Sequence, residues 1–194
     1  RSYTKTLQEN AVYPEPIQYV RNNWEAPKSE EMLMALFKKW QAVFPGPCTV
    51  FEYHYWVHQY RDPGMVAMAR RVYEDVRSYR YTGMDGCMED GSNKSFWPNG
   101  FVDHIYGAVL WDDSIDYTQE LEDYYRHIYG EDWKTVYDCL LGISDAFDHS
   151  YMSGEKSLDA TRGRYYNPGH AKSVLGAKEY ANRLLEAASR HMSM

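Results

Sequence analysis

The chain has 194 residues, 44% of them hydrophobic and 25% charged, which suits a folded domain with a sizeable core and not a disordered chain. With 21 basic and 28 acidic residues, a net charge of −7 and no basic cluster, it lacks the footprint of a protein that tracks nucleic-acid phosphates. Its longest apolar run is far too short to cross a bilayer, so no membrane insertion is expected.

Residues 1–27 carry little periodicity. Asn10, Pro14, Pro16, Asn22, Asn23, Trp24 and Pro27 mark loop, with one short extended piece near Ile17 to Val20. Ser29 is a good N-cap, and Glu30 and Glu31 suit the positive first turn of the helix that follows. Its expected apolar face is Leu33, Leu36, Phe37 and Trp40, and Pro45-Gly46-Pro47 stops it. Residues 48–56, rich in aromatic and β-branched types, read as a strand. Alternation puts Val50, Glu52, His54 and Trp56 on one face and Phe51, Tyr53 and Tyr55 on the other, the second set expected toward covering helices. After the Asp62-Pro63-Gly64 turn, Val66, Ala69, Val72, Tyr73 and Val76 recur at helical spacing through about Tyr81, and Gly83 ends the helix. A second short strand, 84–89, runs into a Gly91-Ser92-Asn93 loop.

Strand, helix and strand joined by short links predict a parallel βαβ unit. Helices are expected near 99–112, 116–129, 132–149 and 171–191, with 154–169 an exposed loop, so the chain is α/β in class yet mostly helical by residue count. Two parallel strands do not make a stable sheet alone, and parallel sheets need cover on both faces. Either strands from outside these residues complete the sheet, which is the preferred expectation, or the helices enclose a very small one.

One set of residues resembles a known family: Tyr79, Gly83, Asp85-Gly86 and Glu89, then Trp97-Pro98-Asn99-Gly100, Leu110-Trp111-Asp112 and Tyr129-Gly130. The chain is similar to the bacterial domain-of-unknown-function family 4838, a glycoside-hydrolase-like group distantly related to α-glucuronidases and family-20-type hexosaminidases. The likeness is most specific over 48–130 and fades beyond 150. It implies the C-terminal part of a (β/α)8 barrel, with 48–56 as the seventh strand and 84–89 as the eighth. Residues 1–113 would then belong to the barrel and 114–194 to a helical tail. It also implies a carbohydrate partner, the rest of the barrel from residues not in this chain, and a secreted or periplasmic location.

Barrel active sites form at the C-terminal ends of the strands. Cleavage of a glycosidic bond generally uses two carboxyl groups, about 5–5.5 Å apart for retention and about 6.5–9.5 Å for inversion. Glu52 and Glu89, near the ends of adjacent strands, are the candidate catalytic pair. His54 on the Glu52 face could orient a carboxylate or a sugar hydroxyl. Trp56 and Trp97 are candidate stacking platforms and Asn99 a hydroxyl binder, although Asn99 suits a helix N-cap slightly better. The aromatic content of 16%, with 19 Tyr and 6 Trp, fits sugar faces, cores and interfaces alike.

Cys48, Cys87 and Cys139 form no CxxC pair and are read as buried free thiols. His54 and His58 lie four apart, a metal spacing on a helix but not on a strand, so no metal and no cofactor is expected. The functional expectation is part of a glycoside hydrolase. The alternatives are a non-catalytic carbohydrate-binding relative and a helical module whose tyrosine-rich surface binds protein.

Overall fold

A computed structural model of the chain describes residues 6–23, 25–27, 29–56, 58–91, 99–152 and 168–192. Among these, helices predominate around a small parallel sheet. The order is α1 (Glu30–Gln41), β1 (Thr49–Glu52), α2 (Val66–Arg77), α3 (Tyr79–Thr82), β2 (Gly86–Glu89), α4 (Phe101–Trp111), α5 (Tyr117–Tyr129), α6 (Trp133–Ala146), α7 (His149–Met152) and α8 (Pro168–Met192). The loop expected at 154–169 lies almost wholly outside the described residues.

Ser29 caps α1 as its sequence suggests, its side chain accepting the Met32 N–H at 3.2 Å. The expected apolar face of α1 is corrected, however. Leu33 and Trp40 are more than half exposed, and Met34 and Ala35 are the buried pair. Polar side chains dock this helix: Lys38 Nζ donates to the Thr82 carbonyl and Gln41 Nε2 to the Gly83 carbonyl. That anchorage turns the Met34–Ala35 side inward and leaves the large aromatic side open, where Trp40 stacks on Phe44.

The βαβ unit is present. β1 and β2 pair in parallel, with Thr49 opposite Gly86 and Glu52 opposite Glu89. Backbone bonds from Asp85 N to Cys48 O and from Asp90 N to Glu52 O prolong the ladder at both ends. Gly83 closes the crossover in the left-handed region, φ +82°, where a residue without a Cβ fits best. The first strand is shorter than its composition suggests. Beyond Glu52 the chain leaves the ladder, and Trp56 N–H bonds back to the Tyr53 carbonyl to form a turn.

One apolar cluster runs through α2, α4, α5 and α6. Met68, Ala69, Val72 and Val76 of α2 meet Phe101, Val102, Ile105 and Val109 of α4, all at most 4% exposed. Leu121, Tyr125, Val136 and Leu140 continue it across residue 113, so residues on both sides of the expected boundary share a core. The bundle is unusually tyrosine-rich: the Phe101 ring lies 5.4–5.8 Å from those of Tyr117, Tyr124 and Tyr125. Tyr125 also packs against Tyr129 and Tyr137. α8 lies along α6, where a Cβ on Gly142 would strike the Tyr180 ring.

Candidate functional site

Which face of the sheet the helices cover decides where each candidate points. Val50 and Cys87 pack against the core, and the Cys87 thiol meets the Tyr106 hydroxyl of α4 at 3.0 Å. Glu52 and Glu89 lie two residues further along the same face, so both carboxylates also turn toward the helices. The opposite face is open. Phe51 is 50%, Tyr53 51% and Met88 63% exposed. This reverses the expected sidedness of Tyr53, which faces outward; Tyr55 is buried, its hydroxyl donating to the Val102 carbonyl.

Glu52 and Glu89 share one environment, and it is closed. Glu52 is buried and accepts a long hydrogen bond from the Tyr79 hydroxyl at 3.4 Å. Both oxygens of Glu89 are engaged: Oε2 by His54 Nδ1 at 2.8 Å and Oε1 by the Tyr55 backbone N–H at 3.2 Å. The second ring nitrogen of His54 meets Asp75 Oδ2 of α2 at 3.0 Å, and Asp75 lies 3.9 Å from Arg71 Nη1. Arg71 and Glu74 both reach Thr6 Oγ1, which ties the N-terminal segment to α2.

The electrostatics follow from this crowding. Burial pulls the His54 imidazole down, but its hydrogen bonds to Asp75 and Glu89, with the charges of Asp75 and Glu52, outweigh that and push its pKa from 6.5 up to about 9. His54 therefore carries its proton at neutral pH and is not available as a base. An imidazolium between carboxylates, with its partners saturated, holds structure together. It links the end of β1, the end of β2 and the middle of α2.

The remaining candidates separate. Trp56 is 54% exposed on the turn after β1, near the equally exposed Tyr60. Trp97 lies outside the described residues. Asn99 is 3% exposed and its amide is committed within the protein. Nδ2 donates to the Gly64 carbonyl at 2.7 Å, while Oδ1 accepts the Phe101 N–H at 3.2 Å and the Tyr125 hydroxyl at 2.8 Å. That is close to the N-cap role, extended to two distant segments. Sequence reasoning missed Asp75, Arg71 and Tyr79 as members of the cluster. A signal existed for Asp75: it interrupts the buried stripe Met68, Val72 and Val76 of α2, where an acid needs a buried cationic partner.

Among the described residues no group of three or more His, Cys, Asp or Glu is placed to hold a metal ion, and none of the three cysteines is in a disulfide. A shallow open depression lined by Gln41, Phe44, Pro47 and Asp85 lies at the opposite, N-terminal end of the strands. Among the described residues no helix is long and apolar enough to cross a membrane. Comparison with known proteins adds no relative: no family model matches the chain, and neither a curated protein nor a solved structure does.

Proposed function

We propose that this chain is the C-terminal part of a carbohydrate-directed (β/α) barrel protein of glycoside-hydrolase type, meeting its sugar on the open aromatic side of the strand ends. The observation that carries this is the uncovered sheet face. A parallel sheet is normally covered on both sides, and in a barrel the helices take the outer face while the inner face closes on other strands. The face bearing Phe51, Tyr53 and Met88 is then the inner one, and Tyr53 and Trp56 stand at the C-terminal mouth, where ligands bind. Their half-exposed rings suit stacking on the apolar face of a sugar.

Two forms of this reading differ in what Glu52 and Glu89 do. Catalysis by the pair draws on their side-by-side register at the strand ends. Binding without catalysis draws on their closure beneath the helices and the saturation of Glu89 by His54 and Tyr55 N–H. The second is the better supported, with Glu52 and Glu89 as supports of the turn that carries Trp56.

Glycan arrays and hydrolysis assays, run on this chain and on a longer protein containing it, test the proposal. Binding without turnover, lost in Trp56→Ala, supports the binding form. Hydrolysis abolished by Glu89→Gln in a folded protein supports the catalytic form. If neither protein recognises any glycan, the carbohydrate reading is wrong. A protein-binding role would then draw on Trp111, 94% exposed at the end of α4 beside the half-exposed Leu110. Capture of a partner that is lost in Trp111→Ala would establish it.

A further inference from the structure

The turn that follows β1 is held in an unusual way. Its tip carries Tyr53 and Trp56, both about half exposed, yet His54 and Tyr55 between them are 5% exposed. Two side chains fix its backbone with three hydrogen bonds. Glu89 Oε1 accepts the Tyr55 N–H, and Gln59 Nε2 donates to the carbonyls of Tyr55 at 2.8 Å and Trp56 at 3.1 Å. Behind the turn passes Gly91, at φ +95°, where a Cβ would stand 2.8 Å from the Tyr55 carbonyl oxygen.

Glu89 is itself held by His54. A neutral imidazole has one N–H and one bare nitrogen, so between two carboxylates one contact would set a lone pair against an anion. Only the doubly protonated ring donates to Asp75 and Glu89 together. The charges around it come from three packed elements: Glu52 on β1, Glu89 on β2, and Asp75 with Arg71 on α2. Tyr79 of α3 bonds Glu52, and Tyr106 of α4 lies within electrostatic reach of Glu52 and Glu89. Take the proton away, and the buried Glu52 and Asp75 and the part-buried Glu89 lose the cation beside them, with Arg71, 3.9 Å from Asp75, as a neighbouring positive charge.

We propose that His54, as an imidazolium, is the positioning residue of the Tyr53–Trp56 turn, so that the placing of Trp56 depends on a proton held beneath it. Its own ring never meets a ligand. It acts through Glu89, which carries the Tyr55 N–H, and deprotonation frees that carboxylate to repel its neighbours and release the turn.

The test needs no ligand. Ring-nitrogen NMR of His54 and Trp56 fluorescence, with Trp56→Phe identifying the Trp56 signal, are followed on the whole chain as pH is raised. The expected result is two protonated ring nitrogens at about pH 7, loss of a proton near about pH 9, and a Trp56 change with the same midpoint. His54→Gln should show the high-pH Trp56 signal already at about pH 7, with no midpoint near 9. A neutral His54 ring at about pH 7, or a Trp56 signal indifferent to the ring's titration, overturns the inference. If His54→Gln fails to fold, the coincidence of the two wild-type midpoints decides it.

The consequence for binding rests on the carbohydrate reading. A glycan held by Trp56 should bind up to about tenfold more weakly at one pH unit above the ring's midpoint. If His54 and Trp56 titrate together and no glycan binds at any pH, the positioning role stands and the carbohydrate reading falls. If a glycan binds through Trp56 and its affinity stays flat across the midpoint, the positioning role falls instead.

Discussion

Replacing Asn99 by alanine removes three hydrogen bonds at one buried point. The lost partners are the Gly64 carbonyl before α2, the Phe101 N–H at the start of α4 and the Tyr125 hydroxyl of α5. Each such bond contributes about 1 kcal/mol net, and each polar group left buried and unmet costs about 1–3 kcal/mol. Phe101 and Tyr125 are each 1% exposed, so water has little access to replace what is lost. The expected destabilisation is about 3–5 kcal/mol, a large share of what a domain of this size has in hand. Urea unfolding, with the midpoint and slope compared, measures it. Asn99→Asp sharpens the test. Its ionised carboxylate keeps the two accepted bonds but turns an oxygen toward the Gly64 carbonyl, and protonation would restore a donor. The Asp variant should therefore recover part of its deficit as pH falls. A loss below about 1 kcal/mol in Asn99→Ala would refute the structural role. So would full stability with loss of glycan binding, which would return Asn99 to the site.

Stability should also depend on pH through His54. Its folded pKa, about 9, lies above 6.5, so its contribution is fully present below about pH 6.5, declines above that and is gone once pH passes 9. The difference corresponds to about 3 kcal/mol, read as wild type minus His54→Gln in urea midpoints across that range. Gly64→Ala should destabilise by about 3 kcal/mol, because its Cβ would stand 2.7 Å from Ser144 N and closer still to the Leu140 carbonyl on the α6 backbone. A melting temperature unchanged in that variant would contradict the close approach of the two segments. Trp56→Ala, at a half-exposed ring, should change stability by less than about 0.5 kcal/mol. If the carbohydrate proposal holds, the same variant should lose glycan binding, both effects read in parallel by denaturation and calorimetric titration.

The helices were legible because their apolar residues recur at helical spacing: Val66, Ala69, Val72, Tyr73 and Val76 are all buried. Gly83 marked its helix end for a reason visible in one residue, the freedom to adopt positive φ. The strand was legible in its pairing but not in its sidedness. Alternation separates two faces without saying which one the helices will cover, so Tyr53 and Glu52 exchanged expected positions. The sequence also overextended β1, since a run of aromatics does not reveal where the partner strand gives out. Leu33 and Trp40 misled for a related reason: an apolar helix face states a need for cover, not its fulfilment among the described residues. The cluster around His54 was half visible, through Glu52, Glu89 and His54. Asp75 was hidden because its role depends on a helix and two strand ends meeting across 21 and 14 residues of separation.

The tyrosine-built bundle gives the molecule a built-in optical gauge. Burial raises the ionisation of Tyr117 and Tyr125 far above that of an ordinary phenol, and that of Tyr129 to about 12. In alkali the near-ultraviolet phenolate band of these buried rings should therefore wait for the helices to part. Its delay after a jump to high pH times the opening of the bundle directly, with no label attached.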